Sequence, residues 1–285
     1  MIYFKNFPLT RYKIYIAKVI YKTFNLFAFK KIRRITRYDI NYEIDLAEVI
    51  DLMVFIFGSF QKHIFKNKII KLPKDAVVFD VGANIGVISL GIAKMAERGM
   101  VYSFEPTHYA YSKFKKNLEL NTNLSNRIKL IQTLVSDENK DNLEMEIYSS
   151  WRLDNDSVGK HIHPIHLGTA KSANGISSIT LEEFCNKNQI TRLDLIKIDT
   201  DGHEYKVLKG ARESIIKLKP KIIFEIGIYL MNEHNIDFSL YYDFFNSINY
   251  DLVDSNKGNI INDKNYTRFI PNNSTTDIIA IPRAN

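Results

Sequence analysis

Short apolar runs alternate with segments of helical periodicity along most of the chain from residue 77 onward. Residues 77–79 form an apolar run typical of a buried strand, and Ile88, Ile92 and Met95 then recur at helical spacing up to Gly99. Further strands are expected at residues 101–104, 128–135, 143–148, 193–198, 222–226, 250–253 and 277–281. Because alternating strands and helices form parallel sheets with helices on both faces, the pattern predicts an α/β, Rossmann-like domain with a mostly parallel central sheet.

Helix starts between these strands are marked in the sequence. Thr107 is a candidate N-cap, and Thr180 with Glu183 forms a capping box. The apolar positions Val207 and Ile215 lie on one predicted helix after the strand at residues 193–198. A further helix is expected at residues 240–248.

The segment before residue 77 has a different pattern. Residues 10–37 are expected to form a basic amphipathic helix, because Ile16, Ile20, Phe24 and Phe27 recur every three to four positions. Residues 39–70 are mixed, and their apolar cluster at residues 52–57 favours strands or a hairpin. We therefore divide the chain into an N-terminal arm at 1–38, lead-in strands or a hairpin at 39–74, and the main α/β domain at 75–285.

Residues 149–177 lack clear periodicity and contain Trp151, three histidines and three glycines. This segment is predicted to be a long loop or short irregular strands. Because long loops inside a compact domain are usually functional, it is expected to act as a lid over a ligand.

Composition limits the class of protein. Among 285 residues, 45% are hydrophobic and 25% charged, as in ordinary globular proteins. The single cysteine, Cys185, excludes an intrachain disulfide. No apolar run is long enough for a transmembrane helix. A secretory signal needs an uninterrupted apolar stretch near its start, and lysines interrupt the early apolar residues of this chain. These features predict a cytoplasmic protein.

Positive charge is concentrated in the N-terminal arm. Residues 1–38 carry ten of the 39 Lys and Arg residues and no acidic residue, which leaves 29 basic against 32 acidic residues in the remainder. Because basic amphipathic helices with aromatic residues bind anionic membranes, the arm is a candidate for peripheral membrane contact. Packing against the protein body or an oligomeric partner is the alternative. The mildly acidic remainder argues against nucleic-acid binding.

Three predicted strands end in an acidic residue, namely Asp80, Glu105 and Asp199. Ligands of open α/β sheets bind at the carboxyl ends of the strands, so these carboxylates are expected to share one site. A carboxylate in the position of Glu105 can accept hydrogen bonds from both hydroxyls of a ribose. Asp80 is expected to face the ligand directly or through water.

A glycine-containing turn follows Asp80. Gly82 permits a sharp turn and Gly86 permits close packing of the next helix on the strand. Asn84 stands where a dinucleotide-binding fingerprint needs a further glycine for close approach to a pyrophosphate, so the pattern disfavours NAD. An adenosine ligand without phosphate tolerates Asn84.

Three segments together resemble the FkbM family of methyltransferases. They are Val-Val-Phe-Asp-Val-Gly-Ala-Asn-Ile-Gly at 77–86, Ser-Phe-Glu-Pro at 103–106 and Asp-Leu-Ile-Lys-Ile-Asp-Thr-Asp-Gly-His-Glu-Tyr at 194–205. The last is the most specific, because the first two occur in many adenosylmethionine enzymes. The similarity covers roughly residues 75–255. Many relatives have Val-Glu-Gly where this chain has Thr-Asp-Gly at 200–202, which keeps an acidic residue at the second position.

The resemblance implies a class I methyltransferase fold, S-adenosyl-L-methionine as methyl donor, and O-methylation of a small or glycan-type acceptor. The cofactor-binding residues expected on this basis are Asp80, Gly82, Asn84, Gly86, Glu105 and Ser136. The N-terminal arm lies outside the resemblance.

Methyl transfer to a hydroxyl requires alignment of the acceptor and benefits from a general base. His203, Asp199 and Asp201 follow the strand at 193–198 and are the predicted catalytic residues. His203 is the preferred base by its ordinary pKa, with Asp199 orienting it or binding the acceptor. The alternative is that Asp201 to Glu204 simply begins a helix.

Four side chains are expected to contact the acceptor: Glu225, at the end of the strand at 222–226, and His163, His166 and Trp151 in the predicted lid. The histidines at 161, 163 and 166 also have a spacing that can bind a metal, but no cysteine is near and a polar pocket is preferred. No metal is therefore predicted.

Three other functions compete with this interpretation. An NAD-dependent oxidoreductase would need pyrophosphate contacts that Asn84 and Val87 do not supply. A non-catalytic module that docks on a membrane or partner would not need the intact set of acidic and glycine residues. A nucleic-acid methyltransferase lacks the Asn-Pro-Pro-aromatic type of motif that acts on flipped bases.

Overall fold

The computed structural model describes residues 10–26, 30–58, 61, 64, 67–154 and 162–283. Residues 1–9 and 27–29 of the predicted arm, and His161 of the predicted lid, lie outside the described residues.

The strands, in chain order, are β1 (Ile32–Arg37), β2 (Ile40–Asp45), β3 (Val77–Val81), β4 (Met100–Phe104), β5 (Ile128–Ile131), β6 (Leu134–Val135), β7 (Lys140–Leu143), β8 (Glu146–Ser150), β9 (Thr169–Ser172), β10 (Ile176–Ile179), β11 (Leu195–Ile198), β12 (Lys221–Ile226), β13 (Tyr250–Asp254), β14 (Ile260–Ile261) and β15 (Thr276–Pro282).

The α-helices are α1 (Thr10–Leu26), α2 (Val49–Phe57), α3 (Val87–Met95), α4 (His108–Glu119), α5 (Thr122–Ser125), α6 (Leu181–Lys187), α7 (Glu204–Lys209), α8 (Arg212–Leu218), α9 (Ile228–Glu233) and α10 (Phe238–Ser247). A short 3₁₀ helix covers Tyr266–Arg268.

Eight strands form the central sheet, in the spatial order β14-β13-β15-β12-β11-β3-β4-β5. The five strands from β12 to β5 are parallel, and the pairs β12–β15, β15–β13 and β13–β14 are antiparallel. Successive residues of a strand point to opposite faces, and apolar clusters cover both faces, with Val78 in one and Phe79 in the other. The predicted Rossmann-like α/β fold with a mostly parallel sheet is confirmed.

The strand order reverses between β3 and β11. From β3 the chain proceeds to β4 and β5 on one side, whereas β11 leads to β12 on the other side. Ligands of doubly wound sheets bind at such a reversal, at the carboxyl ends of the strands. The fold thus places Gly82 after β3 and Asp199 after β11 at the expected ligand-binding position.

The predicted N-terminal helix is shorter than expected. It ends at Leu26, and β1 and β2 form an antiparallel hairpin with Arg37 paired to Ile40. Tyr38 and Asp39 both have positive φ, as a two-residue hairpin turn requires. Buried Ile40, Tyr42 and Ile44 alternate with more exposed residues, which is the pattern that indicates a strand. The predicted boundary at residue 38 therefore falls inside the hairpin turn.

The apolar cluster at residues 52–57 is helical, and the prediction of strands there was wrong. These residues belong to α2, which ends at Gly58 in the left-handed conformation. A short apolar run does not distinguish a buried strand from a buried helix, and the C-terminal glycine was the available signal.

The region between β5 and α6 also differs from the prediction. The strand expected at 128–135 is broken, because the Thr133 hydroxyl donates to the carbonyl of Ser177 (2.6 Å) and β6 pairs with β10 instead of β4. The strand expected at 143–148 is replaced by β7 and β8, which belong to two small sheets. Within the predicted lid, β9 and the first two residues of β10 are strands.

The helix expected through Val207 and Ile215 is divided into α7 and α8 at Gly210. A Cβ at Gly210 would lie 2.1 Å from the carbonyl oxygen of Ser136, so the close approach of that backbone requires glycine. Across the described residues, no helix is both long and apolar enough to span a membrane.

Candidate active site

Gly82 brings the ends of β3 and β11 together. Its φ is +75°, and a Cβ there would lie 1.8 Å from the carbonyl oxygen of Asp199. Because only glycine avoids both the strained backbone and this clash, Gly82 fixes the bottom of the crevice.

The turn after Gly82 is held by a side chain from the next strand. Asn84 has a left-handed φ of 49°, and its amide N–H donates to Glu105 Oε2 (2.9 Å). Gly86 follows at the start of α3 with φ +86°, and a Cβ there would lie 2.1 Å from the Phe114 ring. The predicted cofactor turn therefore packs closely on both the sheet and α4.

Glu105, at the end of β4, is buried and held in one orientation. Besides Asn84, it accepts hydrogen bonds at Oε1 from the Thr107 amide (2.9 Å) and hydroxyl (2.6 Å). Burial raises the pKa of the Glu105 carboxyl, and these hydrogen bonds oppose the rise. Its carboxylate lines a small cavity of about 50 Å³.

Asp80 lies beneath the turn and lines neither of the two cavities at this edge of the sheet. It is fully buried and accepts a hydrogen bond from the Ser89 hydroxyl (2.5 Å). Lys197 Nζ lies 3.2 Å from Asp80 Oδ1 and donates to the carbonyl of Gly82 (2.9 Å). Asp80 is thus placed to support the turn through Lys197.

Lys197 supplies a buried positive charge at the centre of the site. Burial alone would lower the pKa of its ammonium group, but Asp80 and Asp199 outweigh burial and raise it. Asp199 Oδ2 lies 3.5 Å from Lys197 Nζ and accepts a hydrogen bond from Gln61 Nε2 (2.9 Å). The lysine therefore remains charged and joins β3 to β11 electrostatically.

Two cavities meet at this crevice. The larger has a volume of about 230 Å³, and both are lined by Gly82, Asn84, Asp199 and Asp201. The smaller extends past Glu105 along the ends of β4 and β6. The larger extends toward α1, α2 and α9, and its walls combine apolar side chains with carboxylates. A ligand bound in one cavity can therefore reach a ligand bound in the other.

Carboxylates gather where the cavities meet. Asp201 and Glu225 both line the larger cavity and are partly accessible through it, although protein surrounds them. Burial, followed by repulsion from neighbouring carboxylates that include Asp199, raises the pKa of each well above its usual value. Glu225 also accepts a hydrogen bond from the Thr275 hydroxyl (2.6 Å). Each is thus a stronger proton acceptor than an exposed carboxylate.

His203 lines the smaller cavity and precedes α7. Burial, and then the neighbouring His234 ring at 4.7 Å, lower its pKa to about 4. The imidazole is therefore neutral at pH 7 but a weaker base than an exposed histidine. Desolvation thus holds the pKa of His203 below the ordinary value on which the preference for this residue as base rested.

The predicted acceptor residues divide between the cavity and its surroundings. Trp151 and His166 line the larger cavity, and Trp151 Nε1 donates to the carbonyl of His166 (3.0 Å). His163 does not line either cavity; it stacks on His166 with ring centroids 3.7 Å apart and lies 3.1 Å from Glu233. Burial, followed by His163, lowers the pKa of His166 to about 3, so it is a neutral group.

Ser136 follows β6 and does not line either cavity. Its hydroxyl donates to Asp137 (3.2 Å), whereas the backbone of Thr133, Leu134 and Val135 lies along the smaller cavity. No group of three or more His, Cys, Asp or Glu side chains is arranged to hold a metal in the part of the chain that the structure describes.

The lining residues of the larger cavity that the sequence analysis missed include Lys197, Gln61, Ile14 and Tyr229. Lys197 carried a usable signal, because a charged residue within the buried run Leu-Ile-Lys-Ile requires a buried partner. The other three come from separate elements, and only the tertiary fold brings them to the cavity.

Known proteins match this chain over the region that contains the site. The profile of the methyltransferase FkbM domain matches residues 80–252. Methyltransferase sdnD from Sordaria araneosa is 26% identical over 186 residues, which cover 55% of this chain and 68% of that protein. The 2-O-methyltransferase NoeI from Sinorhizobium fredii is 21% identical over 156 residues, which cover 51% of this chain and 61% of that protein.

Among solved structures, methyltransferase FkbM from Methylobacillus flagellatus KT aligns with a TM-score of 0.49 and 18% identity, covering 76% of this chain and 46% of that chain. The FkbM domain match extends over more than half of the present chain and includes the crevice between β3 and β11. The chain belongs to the FkbM family of methyltransferases.

Proposed function

We propose that this methyltransferase takes S-adenosyl-L-methionine as donor and methylates a hydroxyl oxygen of a sugar or glycan-type acceptor. The observation that carries the proposal is the pair of joined cavities, one containing the buried Glu105 and the other a mixture of carboxylates and aromatic rings. Such an acceptor would place the enzyme in glycan biosynthesis.

The residues that line the smaller cavity suit the recognition of an adenosine. Glu105 is fixed by three donated hydrogen bonds, so its remaining lone pairs are oriented for the two hydroxyls of a ribose. The backbone at Thr133 to Val135 can contact the base. Gly82 lets the backbone approach the ligand at the junction of the cavities.

The charge of the site favours a cationic donor over a dinucleotide. The two cavities are lined by four acidic residues, namely Glu105, Asp199, Asp201 and Glu225. Among the described residues that line them, Lys197 is the single basic side chain of the Lys or Arg type. A positive sulfur is therefore attracted, and a negatively charged pyrophosphate is repelled. S-adenosylmethionine, when bound, supplies a methyl group already activated for displacement by an oxygen nucleophile.

The larger cavity fits a hydroxylated ring. Trp151 and Tyr229 offer aromatic faces, and Asp199, Asp201 and Glu225 can accept hydrogen bonds from hydroxyl groups. The name of the relative NoeI, a 2-O-methyltransferase, supports an oxygen acceptor.

Asp201 is the general base in this proposal. It lines both cavities, and its raised pKa matches proton abstraction better than the lowered pKa of His203. The proton of the acceptor hydroxyl passes to the Asp201 carboxylate as the acceptor oxygen forms its bond to the methyl carbon. The bond between methyl carbon and sulfur breaks, and its electron pair stays on sulfur. His203 and Asp199, which also line the cavities, help to position the donor and the acceptor.

The experiment is a transfer assay with S-adenosylmethionine labelled in its methyl group and a panel of saccharides, glycolipids and primary amines. Label is expected in hydroxylated acceptors, with Asp201→Asn losing most of kcat and the exposed control Asp243→Asn unchanged. Label in amines but in no hydroxylated acceptor would contradict the proposal. Unchanged kcat in Asp201→Asn would remove that residue as base.

A further inference from the structure

Helix α1 presents two different faces. Ile14, Ala17 and Tyr21 are buried and belong to the core that covers one face of the sheet. Phe24 packs edge-on against Phe55 of α2, with ring centroids 5.6 Å apart. The inner face therefore fixes the helix on the protein body.

The outer face carries large apolar side chains in contact with solvent. Tyr15, Val19 and Leu26 are exposed to 66%, 48% and 85%, and Lys18 and Lys22 lie between them on the same face. Positions three and four apart share one face of a helix, so these five residues form a continuous apolar and basic surface. We call these five residues the outer face of α1.

The hairpin that follows α1 in the chain also exposes an apolar residue. Ile32, at the start of β1, is exposed to 61%, and the exposed Arg34 forms an ion pair with Glu43 (3.5 Å). Soluble surfaces tolerate single apolar residues, but a group of them interleaved with cations is typical of an interaction site.

Charge complementarity identifies the occupant. Residues 1–38 carry ten Lys and Arg residues and no Asp or Glu, whereas the remainder of the chain is net acidic. Anionic lipid headgroups attract such a segment, while tyrosine, valine and leucine side chains enter the boundary between headgroups and acyl chains. A nucleic acid would satisfy the cations but would leave the apolar side chains in water.

We propose that the outer face of α1 binds the surface of an anionic lipid bilayer. The helix would lie in the membrane plane with Tyr15, Val19 and Leu26 inserted and Lys18 and Lys22 at the headgroups. Ile14, on the inner face, lines the larger cavity. Membrane contact would thus hold that cavity close to the lipid surface, where a lipid-anchored acceptor is presented.

Vesicle co-sedimentation of the full chain tests this proposal. The probes are vesicles of phosphatidylcholine alone and vesicles in which a third of the lipid is phosphatidylglycerol. We expect binding to the anionic vesicles that weakens with added salt. The triple variant Tyr15→Ser/Val19→Ser/Leu26→Ser and the double variant Lys18→Glu/Lys22→Glu should each lower the partition coefficient by about tenfold or more.

The matched control is Ile216→Ser/Leu240→Ser/Ile260→Ser, which removes three exposed apolar residues from other parts of the surface. It should bind vesicles like the unchanged protein. Circular dichroism and S-adenosylmethionine binding, measured on every variant, separate loss of membrane contact from loss of fold or of the donor site.

Three results would overturn the proposal. One is equal sedimentation with both kinds of vesicle, and the second is an equal loss of vesicle binding in the control and the α1 variants. The third is a dimer in light scattering that the α1 variants dissociate, because the outer face of α1 would then bind a second copy. Failure of methyl transfer with intact vesicle binding would instead count against the proposed function alone.

Discussion

At the scale of single residues, Lys197 determines the charge balance of the site. Its Nζ atom lies 3.2 Å from Asp80 Oδ1 and 3.5 Å from Asp199 Oδ2, and it donates a hydrogen bond to the carbonyl oxygen of Gly82. A buried carboxylate that loses its cation is strongly destabilised. The same lysine therefore stabilises the turn and limits the negative charge that faces a ligand.

We expect Lys197→Met to lower the free energy of unfolding by about 3 kcal/mol, because Asp80 would remain buried without its cation. Urea denaturation measures the change. Lys129→Met is the matched control, since Lys129 is an exposed strand lysine and should cost less than about 1 kcal/mol. The double variant Lys197→Met/Asp80→Asn should recover part of the lost stability. If Lys197→Met lowered the free energy of unfolding no more than Lys129→Met does, the role of Lys197 would be contradicted.

The raised pKa values of Asp201 and Glu225 lead to a prediction about donor binding. A cation bound nearby lowers these pKa values, so protons are released on binding wherever the free enzyme holds these carboxyls protonated. Affinity for S-adenosylmethionine therefore rises with pH as the two groups lose their protons. Calorimetry in buffers of different ionisation enthalpy measures the release. S-adenosylhomocysteine, which lacks the positive sulfur, should release fewer protons, and Glu225→Gln should reduce the release. Equal release for both ligands would contradict the electrostatic account.

At the scale of elements, the strand–turn–helix unit from β3 to α3 builds the crevice. Gly82 and Gly86 both have positive φ, and each approaches another element too closely for a Cβ. This unit was predictable from sequence, because a buried apolar run, an acidic end and two glycines are local signals.

Gly82→Ala should destabilise the protein by about 3 kcal/mol or more, because backbone strain adds to a clash with the Asp199 carbonyl. Gly175→Ala is the control: its φ is +78°, but the nearest atom would be 3.9 Å away. It should cost only the strain, about 1 kcal/mol. Thermal unfolding of the two variants compares them, and equal losses would show that the close approach at Gly82 is unimportant.

Other elements were less accessible to sequence reasoning. The α2 run has no internal feature that separates a helix from a strand, and β6 leaves the line of β5 through a tertiary hydrogen bond of Thr133. The pKa of His203 depends on burial and on His234, which is distant in sequence. Local patterns therefore gave the central sheet and the acidic strand ends, whereas packing decided the small sheets and the ionisation of the site.

At the scale of the whole molecule, the fold separates two kinds of charge. Basic residues are concentrated in the segment before residue 39, and acidic side chains line the cavities at the carboxyl edge of the sheet. The same separation connects the two proposals. A cationic donor is attracted to the cavities, while the outer face of α1 is suited to an anionic surface.

In our proposal, the crevice between β3 and β11 binds S-adenosylmethionine through Glu105. The test is isothermal titration of S-adenosylmethionine and NAD into the protein and its Glu105→Ala variant, with the exposed Glu119→Ala as control. We predict micromolar binding of S-adenosylmethionine, at least about tenfold weaker in Glu105→Ala and unchanged in Glu119→Ala, with no binding of NAD. Binding that is unaffected by Glu105→Ala, or no binding to the folded protein, would contradict the account.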